Sequence, residues 1–415
     1  MFETLFARHK VLTRHRQGPL VQARERYLVH CVKQGYAPGT LVRIAREVLV
    51  IAQRVRVDRG KVSLQQIESA ADRWACYQRR HKRADTSYWP RQLFVATASS
   101  WFGFLGWLRQ PDSKTSPFTV QLEQFVAFMR DERGLSAATI RNRCWHLEKF
   151  LDSLPSRKNS LAKVCLPEVD AYLARRGDQG WSRVSVASAA GALRSFFRYA
   201  ESRHWCRRGI CAGIDGPRLF AQERLPRGPD WQVVQRLITD AAEGANPKDI
   251  RDHAILMLLA WYGLRSGEVA GLRLDDVDWK HESLCITRPK QRRTQHYPLQ
   301  YAVGEAILRY LREVRPHCVR RELFLTLDAP FRPMSGGGMY DVVSRRLERL
   351  GWHNQGRGPH CLRHACAGHL LASGFSLKQI GDHLGHRSAN ATRTYAKIDL
   401  PRLRQVAELD LGGLL

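Results

Sequence analysis

A repeated helical pattern in the first half of the chain limits the fold more than any other feature. Residues 24–55, RERYLVHCVKQGYAPGTLVRIAREVLVIAQRV, and residues 122–154, LEQFVAFMRDERGLSAATIRNRCWHLEKFLDSL, follow one plan. In each, apolar residues recur at helical spacing up to a glycine, and a second amphipathic run begins near a threonine. Gly35 and Thr40 match Gly134 and Thr139 at an offset of 99. A Ser-Leu start follows in both (Ser63-Leu64, Ser160-Leu161), then a helical run with an aspartate (Asp72, Asp170). Each segment closes on an aromatic helix, residues 99–108 and 190–200. A helix with one apolar stripe must bury it on a neighbour, so the pattern predicts a four-helix unit present twice in tandem.

The interruptions place the boundaries. Residues 110–116, QPDSKTS, are polar and include a proline; residues 213–230 are rich in Gly, Pro and Arg and lack a period. A chain of 415 residues can hold more than one core. The expected domains are 1–110, 111–215 and 216–415. The last is mainly helical, but residues 276–299 alternate β-branched and aromatic residues around polar turns, which predicts a short strand region.

Charge indicates the partner. Lys and Arg number 67 against 39 Asp and Glu, a formal charge of +28 and a pI near 10.3. A field of that sign along the whole chain attracts polyanions, and nucleic acid is the expected one. The N-terminal stretch MFETLFARHKVLTRHRQ has no signal-peptide core, because charges interrupt each apolar run. The longest apolar stretch, residues 254–264, falls far short of the roughly 20 residues a membrane span needs. The expectation is a cytoplasmic protein, at the bacterial nucleoid, with no membrane partner. Ten scattered cysteines without a CxxC pair fit reduced thiols, and Cys206 and Cys211 lack a second pair for zinc.

The chemistry-bearing residues lie in the last third. An apolar helix over 252–262 stops at Gly263, Arg265 follows at the junction, and Ser266 can cap the next short helix. Any single arginine at a helix end is ordinarily a surface residue; this one lies beside free N–H groups that favour anions. In GRGPHCLRHACAGHLLASG, residues 356–374, Pro359 suits a first helical turn. His360 and Arg363 share one face, while Leu362, Cys366 and Leu370 form the core stripe. His364, His369 and two cysteines also lie here, but the partner spacing of a zinc site is missing, so no metal is expected. His386 and Tyr395 stand nine residues apart in LGHRSANATRTYAK, on opposite faces if the helix were continuous. Gly385 as a helix stop and Ser388 as a new cap predict a bend that lets the two converge. The run Asp275-Asp276-Val277-Asp278 reads as a solvated turn, and no GxxxxGK[ST] nucleotide loop occurs.

Taken in order, GLRSGE at 263–268, Lys290 before Pro298-Leu299, HCLRH at 360–364, LGH at 384–386 and Tyr395 resemble the tyrosine recombinases of the phage integrase family. Each element is weak alone; five in order over about 135 residues are specific. Residues 111–215 resemble that family's helical core-binding domain, and residues 1–110 match it only through the duplication. The resemblance implies a mainly α, multidomain fold: two core-binding-like helical units, the first DNA-binding, then a mixed α+β catalytic domain with a small antiparallel sheet. It implies that Tyr395 is the nucleophile and that Arg265 and Arg363 hold the scissile phosphate. Lys290 is the strand-turn lysine, His360 and His386 are the two histidines, and Glu268 is a supporting acid.

These residue types suit the reaction on their own terms. Two bidentate arginines can neutralise a five-coordinate phosphorus, the work a metal does elsewhere. His360 is the natural acceptor for the tyrosine proton, Lys290 the donor to the leaving oxygen, and His386 a hydrogen-bond donor to phosphate. A covalent phosphotyrosyl link keeps the bond energy, so no cofactor is expected. The partners expected are double-stranded DNA and a homotetramer on two sites, with accessory recombinases or DNA-bending proteins. Arg141, Arg143, Arg292 and Arg293 are candidate DNA contacts. Residues 400–409 read as an amphipathic helix and DLGGLL as an apolar tail; in similar proteins the terminal segment packs on a neighbouring subunit, and a helix docked on its own chain is the alternative. A type IB topoisomerase-like enzyme uses the same tyrosine chemistry, and a non-catalytic DNA-binding regulator could share the fold; both stay open at this point.

Overall fold

The structure is a computed structural model of the 415-residue chain. It describes all residues except 59, 82–85, 110–115, 156–158, 221–227, 289–292, 354–355, 387 and 397–415, and the side chain of residue 389. Lys290, Arg292, most of the 110–116 linker and the expected helix and tail after residue 399 therefore lie outside the described residues. The chain forms two compact units. One comprises Met1–Arg56, Trp74–Leu105 and Arg224–Leu415, the other Val57–Arg73 and Gly106–Glu223.

The repeat appears as two sets of four helices in the same order. The first set is Val21–Lys33, Pro38–Arg54, Leu64–Arg80 and Tyr88–Phe104. The second begins with Thr119–Ala127, which continues through a wider π-helical turn, Phe128–Glu132. Ala137–Leu151, Leu166–Asp178 and Arg183–Ser202 complete it. Gly35 and Gly134, the matched turn residues, both take positive φ, 81° and 58°, which lets one helix end and the next begin at once. The second set has an aromatic core: Phe125, Phe150, Tyr172, Phe196 and Phe197 are buried together. Two short helices, Phe2–Leu5 and His9–Gln17, precede the first set. There His15 is buried against Phe2 and Phe6, with ring centroids 5.3 and 4.3 Å away.

The region after residue 230 is built on the helix Pro247–Trp261, whose residues from Ile250 to Ala260 are nearly all buried. Asn246 caps it by accepting from the amides of Lys248 and Asp249. The helices Trp231–Glu243, Tyr301–Glu313, Gly336–Arg349 and Pro359–Ala372 pack around it. Because neighbours lie on every side, its sequence reads as an unbroken apolar run rather than a stripe. A three-stranded antiparallel sheet sits in the expected region: β1 Val277–Asp278, β2 Ser283–Arg288 and β3 Arg293–Pro298, in the order β1-β2-β3. β2 and β3 pair from Ser283 with Pro298 to Arg288 with Arg293. Leu284, Ile286 and Arg288 are the buried positions of β2. No described helix is long and apolar enough to cross a membrane.

Candidate active site

Four chain segments bring the candidate residues together, and each ends or bends for a local reason. After Gly263 the chain enters the short helix Ser266–Ala270. Its cap differs from expectation: Arg265, not Ser266, occupies the cap position. The Glu268 carboxylate reaches back to accept from the Arg265 amide at 2.9 Å and from its guanidinium at 2.7 Å. Glu268 is buried and Arg265 half-buried, so the acid fixes the arginine while leaving part of it open.

The helix Pro359–Ala372 starts at its proline, as expected, but Arg363 does not lie on an open polar face. It is only 1% exposed. Its guanidinium donates to the carbonyls of Gly263 at 2.6 Å and Leu384 at 2.8 Å, both at helix ends where carbonyls lack partners. Leu370, assigned to the core stripe, is half-buried.

The helix Leu377–Leu384 carries a Ser376–Gln379 capping box and stops at Gly385, φ 61°. Ser388 then accepts from the Asn390 amide at 3.2 Å and opens the helix Ala389–Ala396. The predicted bend is present. The His386 and Tyr395 rings lie nearly parallel, 6° apart in tilt, with centroids 6.3 Å apart. Thr392 Oγ1 lies 2.7 Å from His386 Nδ1 and holds that ring against the last helix.

Two residues without a predicted role complete the cluster. Arg288, at the inward end of β2 and 2% exposed, donates to Leu384 O at 2.6 Å, Gly385 O at 3.2 Å and the Tyr297 hydroxyl at 2.6 Å. It also lies 3.5 Å from Glu268. His364, weighed above only as a metal ligand, has Nδ1 3.1 Å from the Tyr395 hydroxyl. Its ring is edge-on to His360, with centroids 4.5 Å apart. The strand alternation carried the signal for Arg288, since Leu284, Ile286 and Arg288 share one face. His364 could have been found as the residue one helical turn after His360.

The electrostatics are those of a site built for an anion. Arg265 and Arg288 contact one carboxylate, Glu268, and Arg363 shares the Leu384 carbonyl with Arg288. Burial and Arg265 hold the Arg363 guanidinium down to about 10. Burial, then the neighbouring cations, push His364 and His386 down to about 4 and lower His360. The three imidazoles are therefore neutral near pH 7. Burial raises the Tyr395 phenol, while Arg363 and Arg265 oppose that rise. Among the candidate DNA contacts, Arg141 and Arg293 are exposed, and Arg143 donates to Ser195 Oγ at 3.0 Å. Among the described residues no three His, Cys, Asp or Glu side chains gather into a metal site.

A fold of this kind, with this cluster, defines a class of protein, and comparison with known proteins gives the same class. Residues 230–400 match the phage integrase family, and residues 122–204 match the phage integrase N-terminal SAM-like domain. “Putative integrase/recombinase y4gC” of Sinorhizobium fredii is 44% identical over 190 residues, 46% of this chain and 97% of that protein. Tyrosine recombinase XerD of Mycobacterium tuberculosis is 30% identical over 302 residues, covering 69% of this chain and 96% of that one. A crystal structure of XerH site-specific recombinase bound to palindromic difH substrate has the same fold. Its TM-score is 0.56 and its identity 19%, over 86% of this chain and 99% of that one. The chain belongs to the phage integrase family, the tyrosine recombinases, enzymes that cleave and rejoin DNA strands.

Proposed function

We propose that the chain is a site-specific recombinase in which Tyr395 attacks the scissile phosphate of double-stranded DNA and becomes joined to its 3′ side. The observation that carries this reading is the gathering of Tyr395 with His364 and His386, beside three arginines of which Arg265 and Arg288 contact the Glu268 carboxylate. Such an excess of fixed positive charge suits a phosphodiester whose equatorial oxygens gain charge as phosphorus becomes five-coordinate. Arg265, half-open and braced by Glu268, and Arg363 bind those oxygens. His386, held by Thr392, donates a further hydrogen bond. The Tyr395 oxygen forms a bond to phosphorus and the bond to the 5′-oxygen breaks. Lys290 supplies the proton to that oxygen, and the tyrosine proton passes to the histidine pair His360 and His364.

In the second half of the reaction the 5′-hydroxyl of a partner duplex attacks the phosphotyrosyl bond and reseals the strand. Two such exchanges, made by a homotetramer on two sites, pass through a Holliday junction. The domains divide as 1–110, 111–215 and 216–415, and the added N-terminal unit, with the kinship to integrases, fits a mobile element. Arg141 and Arg293 position phosphates; Arg143 and Arg292 are further contacts. Accessory recombinases or DNA-bending proteins are further partners if the purified chain needs them for exchange.

Mixing two differently labelled duplexes that carry the element's ends tests recombination against relaxation. Recombinant joints support the proposal. Relaxation of supercoils without joints supports the topoisomerase-like alternative. The non-catalytic alternative predicts binding with no covalent product.

A further inference from the structure

We propose that His364, rather than His360, takes the proton from Tyr395 as the tyrosine attacks phosphorus. The inference rests on the reading of Tyr395 as nucleophile and assigns its base. The geometry is direct. His364 Nδ1 lies 3.1 Å from the Tyr395 hydroxyl, with the rings 5.7 Å apart and tilted by 62°. Among the described residues, His364 is the side chain hydrogen-bonded to that hydroxyl. Tyr395 is 2% exposed, so bulk water is not at hand to take the proton.

The surroundings suit the role. His364 faces His360 and feels Arg363 on its own helix, and faces Tyr395 from the last helix. Burial, with His360 and Arg363 beside it, keeps its imidazole neutral near pH 7, and the Nε2–H tautomer presents a lone pair at Nδ1 to accept the phenol O–H. A bound phosphodiester brings negative charge to the same cluster and favours the imidazolium. The base therefore strengthens when the substrate arrives. His360 lies one turn earlier at ring contact and is exposed, so it is placed to pass the proton outward.

The step balances. The Tyr395 O–H proton moves to His364 Nδ1, the oxygen–phosphorus bond forms, and the phosphorus–O5′ bond breaks. The departing oxygen takes a proton from Lys290. In the reverse step His364 returns its proton to the phenolate oxygen as that oxygen leaves phosphorus.

His364→Asn separates a base from a prop, because the amide oxygen can accept the phenol hydrogen bond but cannot take the proton. Cleavage is followed with nicked duplexes tiling the ends of the encoding element, trapping the covalent adduct. The expected loss at pH 7 is about 100-fold or more, the scale of general-base catalysis. The variant's rate should rise about tenfold per pH unit towards pH 9 as hydroxide replaces the base, while the wild type stays flat. His360→Asn should lose less than His364→Asn. A 5′-bridging sulfur leaving group, which needs no proton, should rescue Lys290→Ala and not His364→Asn. His364→Gln is measured alongside, with DNA binding as the check on folding. A His364→Asn rate within about threefold of wild type with the same pH profile overturns the inference and leaves the nucleophile assignment standing. An adduct formed by Tyr395→Phe overturns the nucleophile itself.

Discussion

Arg288 ties the site together at the scale of one residue. Its guanidinium and that of Arg363 both donate to the Leu384 carbonyl, so two buried cations meet at one helix end. Glu268 contacts Arg265 at 2.7 Å and Arg288 at 3.5 Å. Replacing Glu268 with Gln should leave these cations unbalanced and lower stability by about 3–5 kcal/mol. Sulfate should restore part of that loss. Chemical denaturation with and without sulfate measures both, and an unchanged midpoint would contradict the electrostatic account. The histidines make a second prediction. His364 and His386 are held at about 4 in the fold, against an ordinary 6.5. Between those values the unfolded chain binds more protons, so their contribution to stability is complete above about pH 6.5 and is lost as pH falls towards 4. Melting temperature should fall from pH 7 to pH 5; a flat profile would contradict the neutral, half-buried imidazoles. The sequence made Arg265, Glu268, His360, Arg363, His386 and Tyr395 visible because each stands in a short ordered motif. Arg288 was not visible in the same way, since an arginine at a strand end ordinarily points to solvent. Its burial depends on carbonyls of a helix end some 96 residues later.

At the scale of elements, the bend between the last two described helices decides whether Tyr395 reaches the arginines. Gly385 takes φ 61°, and a Cβ added there would overlap the Arg288 guanidinium, with Nε at 2.7 Å. Gly385→Ala should therefore cost at least about 1–2 kcal/mol from the left-handed backbone alone. It should also displace Arg288 and reduce covalent adduct formation. Thermal denaturation and adduct yield read the two effects separately, and full adduct yield would show that the bend is not needed. The bend was legible because helix stops and starts are local chemistry: a glycine, then a serine cap. The convergence of β2 with that bend was not, because it is tertiary packing. The cap at Arg265 was misread for a related reason: a serine is the usual cap, and here a carboxylate three residues on supplies the hydrogen bond instead.

At the scale of the whole molecule, the charge of +28 and the doubled helical unit were plain in the composition and the repeat. The helical sets follow the repeat's order, although the two helices before Val21 had no counterpart in it. Assembly on DNA belongs to the proposal, with the DLGGLL tail as the segment proposed to contact a neighbouring subunit. Deleting residues 410–415 should lower tetramer yield on DNA, read by sedimentation; an unchanged yield would reject tail-mediated assembly. Tyr395 is proposed to be the residue that joins DNA. The most direct measurement is mass-spectrometric mapping of the adduct trapped on a nicked duplex, with wild type and Tyr395→Phe compared. The wild type should yield a 3′-phosphotyrosyl peptide containing Tyr395, and the variant no adduct. An adduct that survives the substitution, or maps to another residue, would contradict it.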